Sequence, residues 1–537
     1  MILLKSIFQY YSKFPTWYRL GLGLAVLLLF NMTAWPNMKY GLENSVEASY
    51  FWVDEGRHIE TLEQMQDNHS LQLIHKAYTA FYFNLSYLTA WIFNGFQTPI
   101  SSTSFALGLK WVSLISINLH LLVVFLLIYH AVLSVEWAIF GMALLAGQRF
   151  NLLFATRMHP EGLMLLCTVL TLYSGYQLVM TGKQKYLWWM AASAGLAIGT
   201  KLQVIFLIPW GGFVFLLAAW KYHNDSLLRS LSAAGLSGIV FILAFFAATP
   251  YQVIHLPDLV QGVLGEGGNI TDYYSGRYSA WKWGTVISSE LNLGPFFTLL
   301  FILALLIGMK RVVHQWRQYG KSILDKGPEV LWVLQILWMI VGAGYIIATY
   351  RVFTNRYLIQ VHHSFILIIL LGLFWWFQEK APFYRVWIKL LVALCLYGGV
   401  QGQWRHTRRD VERRETIHDR MEKHRQFGRE LPQHVPVDAN IIHTIRVYIS
   451  NRQYPYARVL FGDVTELLMN SEFDYLIVNN NYRPAMRSVV PMKGSLQDTQ
   501  DAVNFWDSLA RDGIQGTFEV VAHYAKIDVT IYQKIKQ

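Results

Sequence analysis

Cysteine is nearly absent from this chain. There are two in 537 residues, Cys167 and Cys395, and both lie inside apolar runs. They are poor candidates for a disulfide framework or for metal ligation. Charge is scarce too: Asp, Glu, Lys and Arg make up 15% of the chain, against 54% hydrophobic residues. A soluble chain of this length would divide into several polar-surfaced domains, and so little charge argues against that class. No internal repeat is visible, which speaks against the duplicated architecture common among secondary transporters. No histidine pair has the HExxH spacing of a zinc site. The first apolar segment ends in Trp35-Pro36 without a small-x-small cleavage pattern, so it reads as an uncleaved anchor and not as a signal peptide.

Long apolar blocks are what the chain does have. They include Leu20–Phe30, Leu119–Tyr129, Leu163–Leu172, Phe206–Ala219, Ile239–Ala248, Phe296–Ile307, Val330–Ile347 and Phe365–Phe377. With its flanks, each reaches the roughly 20 residues that a helix needs to cross a bilayer core. The expected fold is a polytopic α-helical membrane protein of about eleven transmembrane helices. The expected spans are 18–36, 105–130, 136–155, 160–180, 186–200, 202–220, 228–249, 295–310, 329–349, 356–377 and 384–402. The apolar segment 71–96 contains His75, Lys76 and Asn84. It is expected to form an amphipathic or re-entrant helix at the outer surface, because counting it as a span would export every later basic loop.

The formal net charge is +11. In a soluble protein that would raise nucleic-acid binding; here no nucleic-acid partner is expected, because most Lys and Arg fall in short loops between spans. The basic loops hold Lys183 and Lys185, then Lys221 and Arg229, then Lys310, Arg311, Arg317, Lys321 and Lys326, then Lys380, Arg385 and Lys389. The positive-inside rule puts them with the N-terminus on the cytoplasmic side. Segments 37–104, 250–294 and the tail from 403 then face outward. The chain divides into a membrane domain, 1–403, a charged linker helix, 404–435, and a small extracytoplasmic α/β domain, 436–537. In the tail, Asn440–Ile445, Arg458–Phe461, Tyr475–Asn479, Phe518–Tyr524 and Val529–Ile535 read as strands, and Asp463–Asn470 and Asp498–Arg511 as helices. The tail shows no glycine-rich phosphate loop and no paired catalytic pattern.

Three groups of outward-facing residues have chemical potential. Asp54-Glu55 opens a helix after the first span, where the helix dipole favours negative charge. The pair is either a cap or a general base, with Arg57 and His58 three and four residues beyond Asp54. Arg157, His159 and Glu161 frame the Pro160–Gly162 turn; they either snorkel at the bilayer edge or line a polar pocket. Lys201, Arg277, Arg351 and Arg356 are cations at outer span ends. Each is an interfacial anchor or a ligand for a phosphate held at the membrane surface. Histidines gather on the same side: His58, His75, His159, His255, His362 and His363.

These residues occur in an order that resembles the GT-C class of integral-membrane glycosyltransferases. The nearest branch includes protein O-mannosyltransferases, aminoarabinose transferases and lipopolysaccharide-modifying transferases. The resemblance covers roughly residues 18–377. It rests on Asp54-Glu55 after the first span, the His75–Trp91 stretch, and the Arg157–Gly162 turn with its acid. It rests also on Gly195–Gln203 with its Thr-Lys pair, Thr249-Pro250-Tyr251 followed by Pro257-Asp258, and Arg356-Tyr357-Leu358. The chain departs from the class at His75-Lys76-Ala77, where His-Pro-Pro is usual.

The resemblance implies transfer of a sugar from a polyprenyl-phosphate donor to a lipid, glycan or protein acceptor outside the membrane, with inversion, in a bacterial inner membrane. Asp54 would deprotonate the acceptor, and Glu55 would orient the acceptor or bind a metal. Lys201, Arg277, Arg351 and Arg356 would hold the donor phosphate. Arg57, His58, His75, Arg157, His159 and Glu161 would line the substrate pocket. A monophosphate donor requires no metal cofactor, although a divalent metal is compatible with the class. The rival readings are a transporter or flippase of lipid-linked sugars, which predicts polar residues deep in the spans, and a membrane scaffold whose tail binds partners.

Overall fold

The computed structural model describes residues 16–42, 48, 53–73, 79–222, 227–257, 294–349, 358–378, isolated positions from 401 to 423, 426–443, 458–459, 473–479, 518–524 and 529–535. The chain divides into two compact units. The first is Met1–Lys39, Glu60–Gly267 and Arg277–Asp410; the second is Tyr40–Ile59, Gly268–Gly276 and Val411–Gln537.

The helices of the first unit follow the apolar runs. They are α1 (Thr16–Met38), α2 (Val53–Asp67, whose first seven residues belong to the second unit), α3 (Phe81–Phe93), α4 (Ser102–Val132), α5 (Val135–Ala146), α6 (Arg149–Ala155) and α7 (Glu161–Thr181). Then come α8 (Gln184–Thr200), α9 (Leu207–Tyr222), α10 (Leu227–Ala248), α11 (Pro250–Ile254), α12 (Gly294–Tyr319), α13 (Gly327–Thr349) and α14 (Ile359–Gln378). Among the described residues, seven are long and apolar enough to cross a membrane, and an eighth span is broken between α5 and α6. The two shorter expected spans are α8, of 17 residues, and α10, whose apolar part is Ser232–Ala248. Expected span 384–402 lies outside the described residues, apart from residue 401 near its end. The chain is a multi-pass membrane protein.

Four local features depart from or refine the hydropathy reading. Span 136–155 is bent by 68° at Gly147-Gln148. Side-chain amides add to the bonding at the break: Gln148 donates to the Leu144 carbonyl at 3.1 Å and Asn151 to that of Leu145 at 2.7 Å, which also accepts the Gln148 backbone amide at 3.1 Å. Broken helices are tolerated in a membrane where such bonds exist. Helix α3 has 13 residues, about 20 Å at the helical rise, too short to cross. It starts beside α4, where the Tyr82 hydroxyl donates to the Leu109 carbonyl at 2.9 Å, and returns through Phe96–Ile100 to the start of α4. Helix α12 runs on past residue 310, so Lys310, Arg311 and Arg317 sit on a helix and not in a loop. Charge ends a hydropathy run without ending a helix, and Arg311 Nε pairs with Glu329 at 3.2 Å on α13. The fourth feature is Lys110, buried within α4. It donates to the carbonyls of Asn37 and Met38 at 3.2 Å each, a cation on the orphan carbonyls at the end of α1.

Glycines set the closest helix contacts. A Cβ at Gly195 of α8 would stand 2.6 Å from the Phe241 carbonyl oxygen of α10, and one at Gly199 2.6 Å from the Ala248 Cβ. This small-x-x-x-small spacing lets the two backbones approach. Gly195→Val should therefore lower the thermal midpoint of the purified protein by an overpacking cost of about 1–3 kcal/mol. An unchanged midpoint would show that α8 and α10 separate freely.

The chain reversals sort the bundle's ends. Tyr176 donates to the His130 carbonyl at 3.1 Å, and Tyr222 to that of Met180 at 2.6 Å. Lys221 donates to the carbonyls of Val179 and Leu324 and pairs with Asp325 at 2.9 Å. The loops after α4, α7, α9 and α12 thus meet at one end, with Lys183, Lys185, Lys221, Lys321 and Lys326. This is the basic end.

The second unit is built on a five-stranded sheet: β1 (Ile441–His443), β2 (Arg458–Val459), β3 (Tyr475–Asn479), β4 (Phe518–Tyr524) and β5 (Val529–Lys534), in the order β2-β1-β3-β5-β4. The first three are parallel; β5 and β4 join antiparallel. The central strand is buried throughout Tyr475–Val478, as expected of a strand covered on both faces. Phe427, Leu431, Val435, Tyr475, Ile477 and Ile531 belong to its core. The expected helices 463–470 and 498–511 lie outside the described residues.

Candidate functional site

The end of the first unit opposite the basic end holds a buried polar cluster centred on Glu161. Pro160 precedes α7, and Glu161 opens its first turn, where the dipole favours a carboxylate. Glu161 is fully buried. One of its oxygens accepts from Lys201 Nζ at 2.6 Å, and the other pairs with His159 Nδ1. Lys201 sits at the end of α8 in extended backbone, 13% exposed. His159 is buried, its carbonyl accepts from the Ser113 hydroxyl at 3.2 Å, and its ring meets Phe154 edge-on at 6.0 Å. A Cβ at Gly162 would stand 3.1 Å from the Ser113 carbonyl oxygen; this small residue brings α7 against α4 and so fixes the turn.

Side chains without charge extend the cluster. Gln203 Nε2 donates to Gln360 Oε1 at 2.5 Å; Gln360 donates to the Gly342 carbonyl at 3.1 Å and accepts on its own carbonyl from Trp338 Nε1 at 3.1 Å. Gln252 Oε1 accepts from the Ala80 amide at 3.0 Å, and Thr79 donates to the Ile198 carbonyl at 3.0 Å. Sequence reasoning missed Gln252, Gln360 and Lys110. The signal was present: a lone amide or ammonium in an apolar run is costly in a membrane and marks a built contact.

Of the sequence-predicted residues, His159, Glu161 and Lys201 come together. Arg157 is half-buried beside them in sequence. Asp54 and Glu55 lie in the first turn of α2, Asp54 half-buried and Glu55 buried. The helix puts Arg57 and His58 one turn beyond Asp54, on its face; Arg57 is half-buried and His58 buried. These four belong to the second unit. His75, Arg277, Arg351 and Arg356 lie outside the described residues. Among the described residues no group of three or more His, Cys, Asp or Glu is arranged to hold a metal ion.

The interior is not wholly apolar. Two turns beyond Ser113 on α4, His120 is buried and its ring centroid is 5.7 Å from that of His363. His362 meets Phe150 at 5.3 Å. The Ser364 hydroxyl donates to Gln335 Oε1 at 2.6 Å. His120 Nδ1, both His363 ring nitrogens and Gln335 Nε2 find no hydrogen-bond partner among the described residues.

No protein-family model matches the chain, and no curated protein matches it. Solved structures do. ArnT from Cupriavidus metallidurans bound to undecaprenyl phosphate aligns with a TM-score of 0.57 at 10% identity, covering 98% of this chain and 99% of that one. The apo state of the same protein aligns with 0.55 at 11% identity, covering 96% and 98%. The Archaeoglobus fulgidus oligosaccharyltransferase in its apo form aligns with 0.51 at 13% identity, covering 91% of this chain and 73% of that one. Identities this low speak to fold and to nothing finer, and over nearly its whole length the chain has the fold of the GT-C membrane glycosyltransferases.

Proposed function

We propose that the chain is a membrane glycosyltransferase that moves a sugar from a polyprenyl-phosphate donor to an acceptor on the extracytoplasmic face, with inversion at the sugar carbon. The observation that carries this reading is the buried His159–Glu161–Lys201 cluster at one end of a GT-C bundle. A fold neighbour bound to undecaprenyl phosphate supports the donor class. In this reading Lys201 gives one donor hydrogen bond to the phosphate, with Arg277, Arg351 and Arg356 as further cations. Asp54 takes the acceptor proton. Glu55 is the second member of the catalytic pair, and Arg57, His58, His75, Arg157, His159 and Glu161 shape the substrate pocket. Residues 1–403 form the catalytic membrane domain, 404–435 a linker, and 436–537 an outward α/β domain. The test is transfer of label from a synthetic polyprenyl-phosphate sugar by the purified protein; no transfer to any lipid, glycan or peptide acceptor would sink the reading.

The orientation belongs to the same proposal. Basic loops stay cytoplasmic, and the loops after α7, α9 and α12 meet at the basic end. Single cysteines at positions 60 and 450 should react with an impermeant thiol reagent outside intact cells, and one at position 318 should not. Labelling at 318 alone would invert the molecule and its site.

One observation favours a second reading. His120, His363, Gln335 and Ser364 lie within the membrane-spanning helices and are buried. Intramembrane polar groups often mark a path, as a flippase of lipid-linked sugars would need. Reconstituted vesicles distinguish the two: transbilayer movement of the donor without sugar transfer would establish the flippase.

A further inference from the structure

The basic end carries an apolar groove that sugar transfer does not use. Its walls include Leu178, Leu187, Phe215, Ala218, Ala219 and Tyr222, and it encloses about 380 Å³. Two contacts shape it. Gly182 ends α7 with a φ of 65°, and the Tyr222 ring lies where a Cβ at 182 would stand. The Tyr222 hydroxyl reaches the Met180 carbonyl at 2.6 Å, which holds the α7–α8 turn against the end of α9. Lys221 braces the same end, bonded to two carbonyls and to Asp325, so its charge is engaged.

Lys183 and Lys185 differ from Lys221. They flank Gln184, itself part of the groove, and neither is buried. Neither forms an ion pair among the described residues, and Lys185 Nζ stands 5.1 Å above the Tyr186 ring. Trp188, Trp189 and Trp220 are exposed close by. Exposed tryptophans at the ends of spans lie at headgroup depth. The mouth of the groove is therefore level with lipid phosphates, while its walls suit an acyl chain.

We infer that this groove binds one glycerophospholipid with an anionic headgroup. An acyl chain lies against Leu178, Leu187 and Phe215, and Lys183 and Lys185 hold the headgroup charge. The occupant is a lipid because the lining is mostly apolar, with Gln184 and Ser232 among its polar members, and opens at headgroup depth. It is anionic because two exposed lysines flank Gln184 of the lining, while Asp325 is taken by Lys221 and Glu329 by Arg311 at the same end.

The full-length protein, stripped of lipid in detergent, is titrated with dioleoylphosphatidylglycerol or dioleoylphosphatidylcholine. Retained lipid is counted by native mass spectrometry, and thermal midpoints are recorded. The wild type should retain phosphatidylglycerol preferentially and gain more in midpoint from it. Lys183→Gln with Lys185→Gln should keep the lipid-free midpoint and bind phosphatidylglycerol roughly ten- to thirty-fold more weakly, from the attraction each lysine adds near an anionic headgroup. Ala219→Trp, which fills the groove, should lose both lipids. Equal retention of the two lipids by the wild type overturns the inference. So does undiminished phosphatidylglycerol binding by the double variant. Undecaprenyl phosphate displacing the lipid equally well from wild type and double variant also overturns it, by assigning the groove to a polyprenyl tail.

Discussion

Asp54→Asn should yield a folded protein of normal abundance whose sugar transfer falls by roughly 10²-fold or more, the usual share of a positioned general base. The expectation starts from the helix. Asp54 is in the first turn of α2, where a carboxylate gains about 0.3–1 kcal/mol from the dipole. Asn keeps the size and can still cap a helix, and the dipole gain it forfeits is small, so folding should survive. Asn cannot accept a proton at neutral pH. Of the two acids, Asp54 is the more accessible and Glu55 is buried, which suits Asp54 to meet an acceptor hydroxyl arriving from solvent. Glu55→Gln should be milder if Glu55 orients its neighbours. Transfer from a synthetic polyprenyl-phosphate sugar by purified protein decides. Near-normal transfer by Asp54→Asn removes the base assignment, and loss confined to Glu55→Gln moves the role one residue along.

Run length made the bundle legible. Ten expected spans coincide with helices or, at 136–155, with a broken pair, because a bilayer demands apolar stretches that a local window detects. The strands were legible for a related reason: Tyr475–Val478 is apolar on both faces because both are covered. Two kinds of feature escaped. One is where charge and helix part company, as at Lys310–Tyr319, since hydropathy measures solvent preference and not backbone geometry. The other is pairing at a distance. Glu161 and Lys201 are 40 residues apart, and His120 meets His363 across 243 positions of sequence (363 − 120). Nothing local in either residue names its partner. For the site itself, the turn at Pro160 and the Thr-Lys pair at 200–201 were readable as polar marks at span ends. That they form one cluster came only from the packing of α7 on α8.

The second large effect concerns that cluster, and two explanations of Lys201 must be separated. Either Lys201 only neutralises Glu161, or it also binds the donor phosphate. Lys201→Met leaves a fully buried carboxylate with His159 as its remaining ion-pair partner among the described residues. Breaking one side of a buried pair costs about 3–5 kcal/mol of stability, so the single variant should melt well below wild type whatever its catalytic role. Lost activity in that variant alone proves nothing. Glu161→Gln combined with Lys201→Met removes both charges, and such paired replacement is often neutral for stability. The two residues touch, so their effects should be strongly non-additive in the melt. Transfer should behave otherwise. A cation on the departing phosphate contributes about 2–4 kcal/mol to the transition state, roughly 30- to 10³-fold in rate, and a neutral amide at position 161 cannot restore it. The expected result is a double variant that melts near wild type and still transfers sugar at the low rate of a missing phosphate ligand. Recovery of both melting and transfer would reduce Lys201 to a counter-ion for Glu161, and the search for the phosphate ligands would pass to Arg277, Arg351 and Arg356.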